Sequence, residues 1–441
     1  MSGIHPASRK EATRHLPIED LPAPAEVRLP LHQHAGAPAV PVVEKRANLA
    51  IGDLVGEAPA ALGARVHASI AGHALPLTAA LLPNGRRALA VGIRAAGADR
   101  EALRFADAFA GPWDLPEVTP EEIVRAVRSA GIVGLGGASF PSHVKLQRDR
   151  GRPVDTVVAN GAECEPYLTG DERVMIEAPG AVVAGLALAM RAVGAERGVV
   201  AVEDDKVEAI GRLGEELARG HPGVSLAVRP AAYPTGDERQ LVRSVLGRVV
   251  PAGGLPLDVG AVVFNVQTAA AIARAVLRGA SLTHRVLTVG GPGISRPRNL
   301  FVPIGASVGD LVEACGGLSE DACRVVAGGP MMGFTVSDLS VPVTKGTTGI
   351  VALTGREVPG RGAAPCIRCG RCLEVCPRGL APTRIARAAS AGDLDLARRW
   401  DLEACVECGC CAWACPSGIP LVQQIRAGKA GLRRRMTTGR P

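Results

Sequence analysis

The spacing of apolar positions changes period several times along the chain. Thr119 precedes Pro120 and is followed by Glu122, a capping box with proline at the first helical position, and Ile123, Val124 and Val127 then form one apolar face. From there to about residue 280, short β-branched runs alternate with helical patterns. The runs Thr156 to Ala159, Gly198 to Val202, Val224 to Val228 and Ala261 to Asn265 read as strands; Ala181 to Val193, Lys206 to Ala218 and Thr268 to Leu277 read as helices. Strand and helix in alternation predict a mostly parallel sheet with helices on its faces over residues 106–280. Upstream, residues 1–105 carry short apolar stretches, Ala39 to Val43 and Val66 to Ile70, between Pro, Gly and His turns, which predicts a small β domain. Downstream, Arg285 to Val289 and Arg324 to Ala327 flank a helix at Val308 to Cys315, a small α+β module over 281–350. Gly355 to Ala364 reads as a linker within 351–364, and a cysteine-rich domain fills 365–441.

Composition adds bounds. At 441 residues the chain holds three or four domains, and 47% apolar residues with only 2% aromatics predict aliphatic cores. Met1 to Lys10 is polar and has no signal-peptide pattern, and the apolar run Ala181 to Met190 is broken by Arg191. The expectation is a cytoplasmic chain with no transmembrane helix and any membrane association peripheral. Arg361 to Pro441 holds 14 Lys/Arg against 6 Asp/Glu. Two thiolate-bound clusters of about −2 each would offset much of that excess, so no nucleic-acid partner is inferred.

Nine of the 12 cysteines lie between Cys366 and Cys415. They form C-x2-C-x2-C-x3-C-P twice, as Cys366, Cys369, Cys372, Cys376 with Pro377, and Cys405, Cys408, Cys411, Cys415 with Pro416. Such spacing lets three thiolates wrap one cubane while the fourth reaches the other cluster. Crossed ligation is expected: Cys366, Cys369, Cys372 and Cys415 for one 4Fe-4S cluster, Cys405, Cys408, Cys411 and Cys376 for the second. A structural zinc site needs two ligand pairs and gives no reason for a fourth cysteine before proline, twice. Cys410 is off-register and is read as packing; Cys164, Cys315 and Cys323 are read as buried thiols.

Gly134-Leu-Gly136-Gly137-Ala138-Ser-Phe140-Pro141-Ser-His-Val-Lys145 is neither a Walker loop nor a dinucleotide fingerprint, and alone it is explained equally by a packing turn. Three further segments follow: Asn160-Gly-Ala-Glu163-Cys-Glu165-Pro166, Tyr233-Pro-Thr-Gly236-Asp237-Glu238 and Asn265-Val-Gln-Thr268. Together they resemble the NADH- and FMN-binding flavoprotein subunit of respiratory complex I. The resemblance implies that Gly134, Gly136, Gly137, Lys145, Asn160, Glu163, Tyr233, Gly236, Asp237 and Asn265 surround FMN. It also implies that Phe140, Glu165 and Glu238 face NAD(H). The complex I pattern has Asp where Ala162 stands, which removes one polar contact.

A narrower resemblance covers nearly the whole chain. Gly3-Ile4-His5-Pro6, Pro30-Leu31-His32-Gln33-His34-Ala-Gly36-Ala37-Pro38, Val66-His67-Ala68-Ser69, Glu163-Cys164-Glu165-Pro166-Tyr167-Leu168 and Gly328-Gly329-Pro330-Met331-Met332-Gly333 are similar to the RnfC/RsxC family of Rnf ion-translocating electron-transport complexes. His32 and His34, with no third ligand, are read as turn or interface residues. The resemblance implies an N-terminal sandwich-hybrid β domain, a Rossmann-like FMN/NADH domain, a β-grasp module of the soluble-ligand-binding (SLBB) type and a two-cluster ferredoxin-like α domain. It implies a peripheral protein on the cytoplasmic side of the cell membrane, partnered by other subunits of the complex and by ferredoxin or a ferredoxin-like subunit. The implied activity is hydride exchange between NAD(H) and FMN and single-electron transfer through two 4Fe-4S clusters, in an ion-translocating ferredoxin:NAD oxidoreductase. Two other readings are a cobalamin reductase of propanediol-utilisation microcompartments and a non-enzymatic electron-relay or scaffold subunit.

Overall fold

The computed structural model describes residues 3–96, 102–148, 151–251, 253–358, 360 and 362–438. Its centre is a four-stranded parallel sheet in the order Val224–Arg229, Arg197–Glu203, Thr156–Gly161, Ala261–Asn265. The last three are near-continuous buried apolar runs covered by helices, whereas the edge strand Val224–Arg229 is part-exposed along its length. The helix Pro179–Val193 is buried over most of its length and packs beside Val266–Arg278. The capping box at Thr119 is present: its hydroxyl accepts from Glu122 N at 3.3 Å, and the Glu122 carboxylate accepts from Thr119 N at 2.8 Å.

From the first central strand, Thr156–Gly161, the chain goes one way to Arg197–Glu203 and Val224–Arg229, then returns to the other side as Ala261–Asn265. The strand order therefore reverses between Thr156–Gly161 and Ala261–Asn265, where Asn160 lies opposite Asn265. Open α/β sheets bind ligands in the crevice outside the carboxyl ends of strands at such a reversal.

The N-terminal domain has a five-stranded antiparallel sheet that includes Glu26–Pro30 and Arg87–Ala95, and a three-stranded one of Val40–Pro41, Leu54–Glu57 and Val66–His67. The third module is a six-stranded mixed sheet, and here the structure departs from the boundaries read off the sequence. Ile18–Asp20, from the first hundred residues, pairs in parallel with Arg298–Pro303 as an edge strand. Gly349–Thr354, whose last four residues fall in the expected linker, is a buried strand between His284–Gly290 and Ala322–Ala327. Of that linker, positions 359 and 361 lie outside the described residues.

The cysteine-rich part is helical, with Pro382–Ser390, Leu394–Arg399 and Leu421–Thr438 packed around Ile385, Leu402, Leu421 and Ile425. Among the described residues no single helix is long and apolar enough to cross a membrane. The bent pair Gly170–Glu177 and Pro179–Val193 has suitable composition, but its second helix is buried in the protein core.

Candidate functional site

A cleft of about 700 Å³ opens at the carboxyl ends of the central strands, within the size range of small-molecule sites. It is lined by Gly134, Gly136, Gly137, Phe140, Lys145, Asn160, Glu163, Glu165, Tyr233, Gly236, Asp237, Glu238 and Asn265, so the sheet reversal brings together every flavin and nucleotide residue expected from the sequence.

The glycine loop is shaped by its own backbone. Gly134 N donates to Phe140 O at 2.9 Å, Ser139 N to Gly134 O at 3.2 Å, and Leu135 N to the Thr268 hydroxyl at 2.9 Å. Between these anchors the amides of Gly136, Gly137 and Ala138 have no partner among the described residues. Gly137 has φ +107°, and a Cβ there would meet nothing within 4 Å, because it would enter the cleft. Exposed amides that converge on open space suit a phosphate or a flavin ring edge, so the loop fits FMN.

Several expected contacts are already engaged within the protein. The Glu163 carboxylate accepts from Asp171 N at 2.8 Å and Glu172 N at 3.0 Å, capping the helix Gly170–Glu177. Asp237 caps Glu238–Leu246 through Arg239 N and Gln240 N, and burial raises its carboxyl pKa. The Asn160 amide donates to Gly236 O at 2.9 Å. Lys145 Nζ pairs with Glu238 Oε1 at 2.6 Å, donates to Val263 O at 3.0 Å and lies 5.8 Å from the Phe264 ring centre. Glu165 reaches across to the third module, where the amides of Met331 and Met332 donate to it at 3.0 and 2.8 Å; burial nevertheless pushes its pKa up to about 7.

Asp171 is the site residue that sequence reasoning missed. Its carboxylate is buried in the cleft wall and accepts from Asn265 Nδ2 at 2.6 Å and Gln267 Nε2 at 2.8 Å. Burial first, then the neighbouring Glu163, push its pKa up to about 7. It stands in the first turn of Gly170–Glu177, a helix the sequence pattern does not predict, and acids are common at helix starts in general.

The second cysteine loop lines part of this cleft through Val406, Glu407 and Cys408. A cavity of about 20 Å³ is lined by Cys376, Cys405, Cys408, Cys410 and Cys411, which brings together the four cysteines of one expected crossed set, with Cys410 beside them. Leu380 N and Glu407 N each lie 3.4 Å from a sulfur, of Cys376 and Cys405 respectively. Amide bonds to sulfur and an all-thiol donor set suit iron–sulfur ligation. Cys410 is fully buried and, together with Cys408, packs against Ile4 and Tyr233. Cys315 is buried and Cys164 is part-buried, its thiol pushed up to about 12 by burial, but Cys323 is exposed, contrary to expectation, because its strand lies near an edge of the third sheet. His32 and His34 close a turn through Gly36 O and Ala37 O and line the cleft.

The two centres are joined directly. Tyr233 directs its hydroxyl to Cys408 O at 2.6 Å, and Gln240 Nε2 donates to Pro377 O at 2.8 Å. Arg426 bonds Met332 O and Gly333 O and pairs with Glu407 at 2.9 Å, tying the cysteine domain to the third module.

Four domain families match in chain order: the RnfC barrel sandwich hybrid domain over residues 1–98, the Nuo51 FMN-binding domain over 127–274, the SLBB domain over 286–335 and the 4Fe-4S dicluster domain over 365–419. The C subunit of the proton-translocating ferredoxin:NAD(+) oxidoreductase complex of Clostridium ljungdahlii is 40% identical over 386 residues, covering 87% of this chain and 83% of that protein. The C subunit of the Na(+)-translocating ferredoxin:NAD(+) oxidoreductase complex of Acetobacterium woodii is 40% identical over 385 residues, covering 87% and 86%. The C subunit of the ion-translocating oxidoreductase complex of Rhodobacter capsulatus is 41% identical over 404 residues, covering 90% and 76%. With this likeness spread over all four domains, the chain belongs to the RnfC family of ion-translocating oxidoreductase complexes.

Proposed function

We propose that this chain exchanges hydride between NAD(H) and FMN in the cleft, and single electrons through two 4Fe-4S clusters with other subunits on the cytoplasmic side of the cell membrane. The net reaction of the whole complex is then ferredoxin:NAD oxidoreduction coupled to ion translocation. The reading rests on one observation above all: a cleft with unpartnered glycine-loop amides shares Tyr233 with the cysteine loop. Bound FMN would supply the conversion between two-electron hydride chemistry and one-electron transfer.

The chain's own residues divide the remaining work. The amides of Gly136, Gly137 and Ala138 donate to the flavin, and Lys145, fixed by Glu238 and Val263 O, sets a cation beside it. Asn160, Gly236 and Asn265 hold the strand ends that form the floor. Phe140 offers a ring for the nicotinamide to stack on, and Glu165 and Glu238 orient the nucleotide. A Glu165 carboxyl held near pKa 7 carries only part of a full negative charge at neutral pH, which lessens its repulsion of nucleotide phosphates. Ligation is assigned in the crossed sense: Cys366, Cys369, Cys372 and Cys415; Cys405, Cys408, Cys411 and Cys376.

Anaerobic purification with flavin, iron and sulfide measured together tests the assignment. About one FMN and eight irons per chain are expected, with flavin bleaching at stoichiometric NADH. A chain that holds both clusters but whose flavin is indifferent to NADH would instead be an electron relay. NADH-driven reduction of cob(III)alamin would point to a cobalamin reductase.

A further inference from the structure

The two cysteine motifs fold as the same loop twice. Arg368 and Glu407, equivalent in the repeat, have φ of 58° and 59°, and Gly370 and Gly409 have 79° and 85°. Each loop leads into a one-turn helix, Arg371–Glu374 and Cys410–Trp413.

Their surroundings differ. In the second loop Val406 and Glu407 are half-buried and Cys408, Gly409 and Cys410 are buried, packed on Ile4, Tyr233 and Met331. In the first loop Ile367, Arg368, Cys369 and Arg371 are all exposed, Ile367 by 68%. A Cβ on Gly409 would lie 2.7 Å from Met331 O, whereas one on Gly370 would meet nothing within 4 Å. Charge is reversed as well. Glu407 is held by Arg426 at 2.9 Å and Lys429 at 3.1 Å, while neither Arg368 nor Arg371 has an ion-pair partner among the described residues. Leu373, on the helix after the first loop, is 50% exposed, and Trp413, on the one-turn helix packed beside it, is 53% exposed.

We propose that the first loop is a docking face for an acidic one-electron carrier protein, the outward counterpart of the face by which the second loop docks inside the chain. Apolar side chains beside a redox centre, rimmed by a net charge of one sign, are how such transient partners are steered and seated, and here Arg368 and Arg371 outnumber Glu374, the exposed acid of the adjoining helix. The sign follows from the repeat: the inner loop offers an acid to cations, so the outer loop, with Arg368 in place of Glu407, calls for carboxylates. The carrier and the cluster assigned to Cys366, Cys369, Cys372 and Cys415 exchange one electron, one oxidised as the other is reduced, with no bond made and no proton required. The inference rests on the cluster assignment but not on NADH chemistry.

Calorimetry of the cofactor-loaded full chain with an oxidised, acidic two-cluster ferredoxin as probe tests it. A complex is expected at low salt, weakened at least tenfold by Arg368→Glu with Arg371→Glu, and weakened likewise by about 0.3 M salt. Basic cytochrome c should bind the wild type poorly and the double variant better. Unchanged iron content and NADH-driven flavin bleaching in the variant show that its fold is intact; where iron is lost, Ile367→Asp is read instead, with the same tenfold expectation. Absence of a wild-type complex, or equal affinity of wild type and variant, overturns the docking face even where NADH bleaches the flavin. A charge-dependent complex in a chain whose flavin ignores NADH leaves the docking face standing and overturns the hydride reading alone.

Discussion

The Tyr233 hydroxyl donates to the carbonyl of Cys408 at 2.6 Å, so a residue of the flavin cleft is bonded to the loop of the nearer cysteine set. Both ends are buried, and no water can replace the bond cheaply. Tyr233→Phe leaves the carbonyl without its donor, an expected loss of about 1–3 kcal/mol measurable by urea unfolding. Flavin reduction by NADH should persist while electron transfer onward, followed by stopped-flow absorbance, slows. Unchanged stability would show that the carbonyl finds another donor.

Gly137 gives a test confined to the glycine loop. Any side chain there adopts φ +107° at a strain of about 1–2 kcal/mol, and its Cβ enters the cleft. Gly137→Val should weaken FMN binding at least tenfold in fluorescence titration. Gly247→Ala, at φ +69° with open space around it and outside the cleft, adds comparable strain and should leave FMN affinity unchanged.

What the sequence could disclose follows from the range of the signals. The cysteine loops and the Thr119 capping box are local, set by spacings of a few residues, and the parallel sheet followed from alternating periods between Thr156 and Asn265. Contacts between distant segments were not legible. Ile18–Asp20 is a three-residue strand whose partner, Arg298–Pro303, lies far along the chain, and nothing in so short a run marks it for another module's sheet. Asp171 lies in a stretch where the apolar pattern predicts no element, and only the folded cleft sets it against Asn265 and Gln267. The bond from Tyr233 to Cys408 likewise needs the docked domains.

Lys345 is a buried amine whose hydrogen-bond acceptors are backbone carbonyls, Arg65 O and Gly131 O, and burial lowers its pKa to about 7. His34 and His67 nearby are held neutral, lowered to about 4 and about 3 mainly by burial. The unfolded lysine keeps its proton to about pH 10.4, so between pH 7 and 10 the unfolded chain binds more protons than the native one. The contribution of Lys345 to stability therefore rises with pH across that window and is lost as pH falls towards 7, with a slope of roughly 1 kcal/mol per pH unit. Urea midpoints at several pH values should climb more steeply in the wild type than in Lys345→Met. Parallel curves would place the amine's titration elsewhere.

Crossed ligation separates two neighbouring cysteines. Cys376 comes from the first motif but lines the small cavity with Cys405, Cys408 and Cys411; Cys410 shares that wall and, like Cys408, packs against Ile4 and Tyr233, but it falls outside the repeated spacing. If Cys376 completes the second set, Cys376→Ser should lower iron from about eight to about four per chain and remove one of two cluster signals in electron paramagnetic resonance. Cys410→Ala should keep about eight irons, because it removes no ligand, and lose only the stability of a small buried side chain, about 1 kcal/mol. The opposite outcome, with iron kept in Cys376→Ser and lost in Cys410→Ala, would assign the ligand role to Cys410. Loss of the signal from the Cys366, Cys369 and Cys372 set in Cys376→Ser would mean that each motif binds its own cluster.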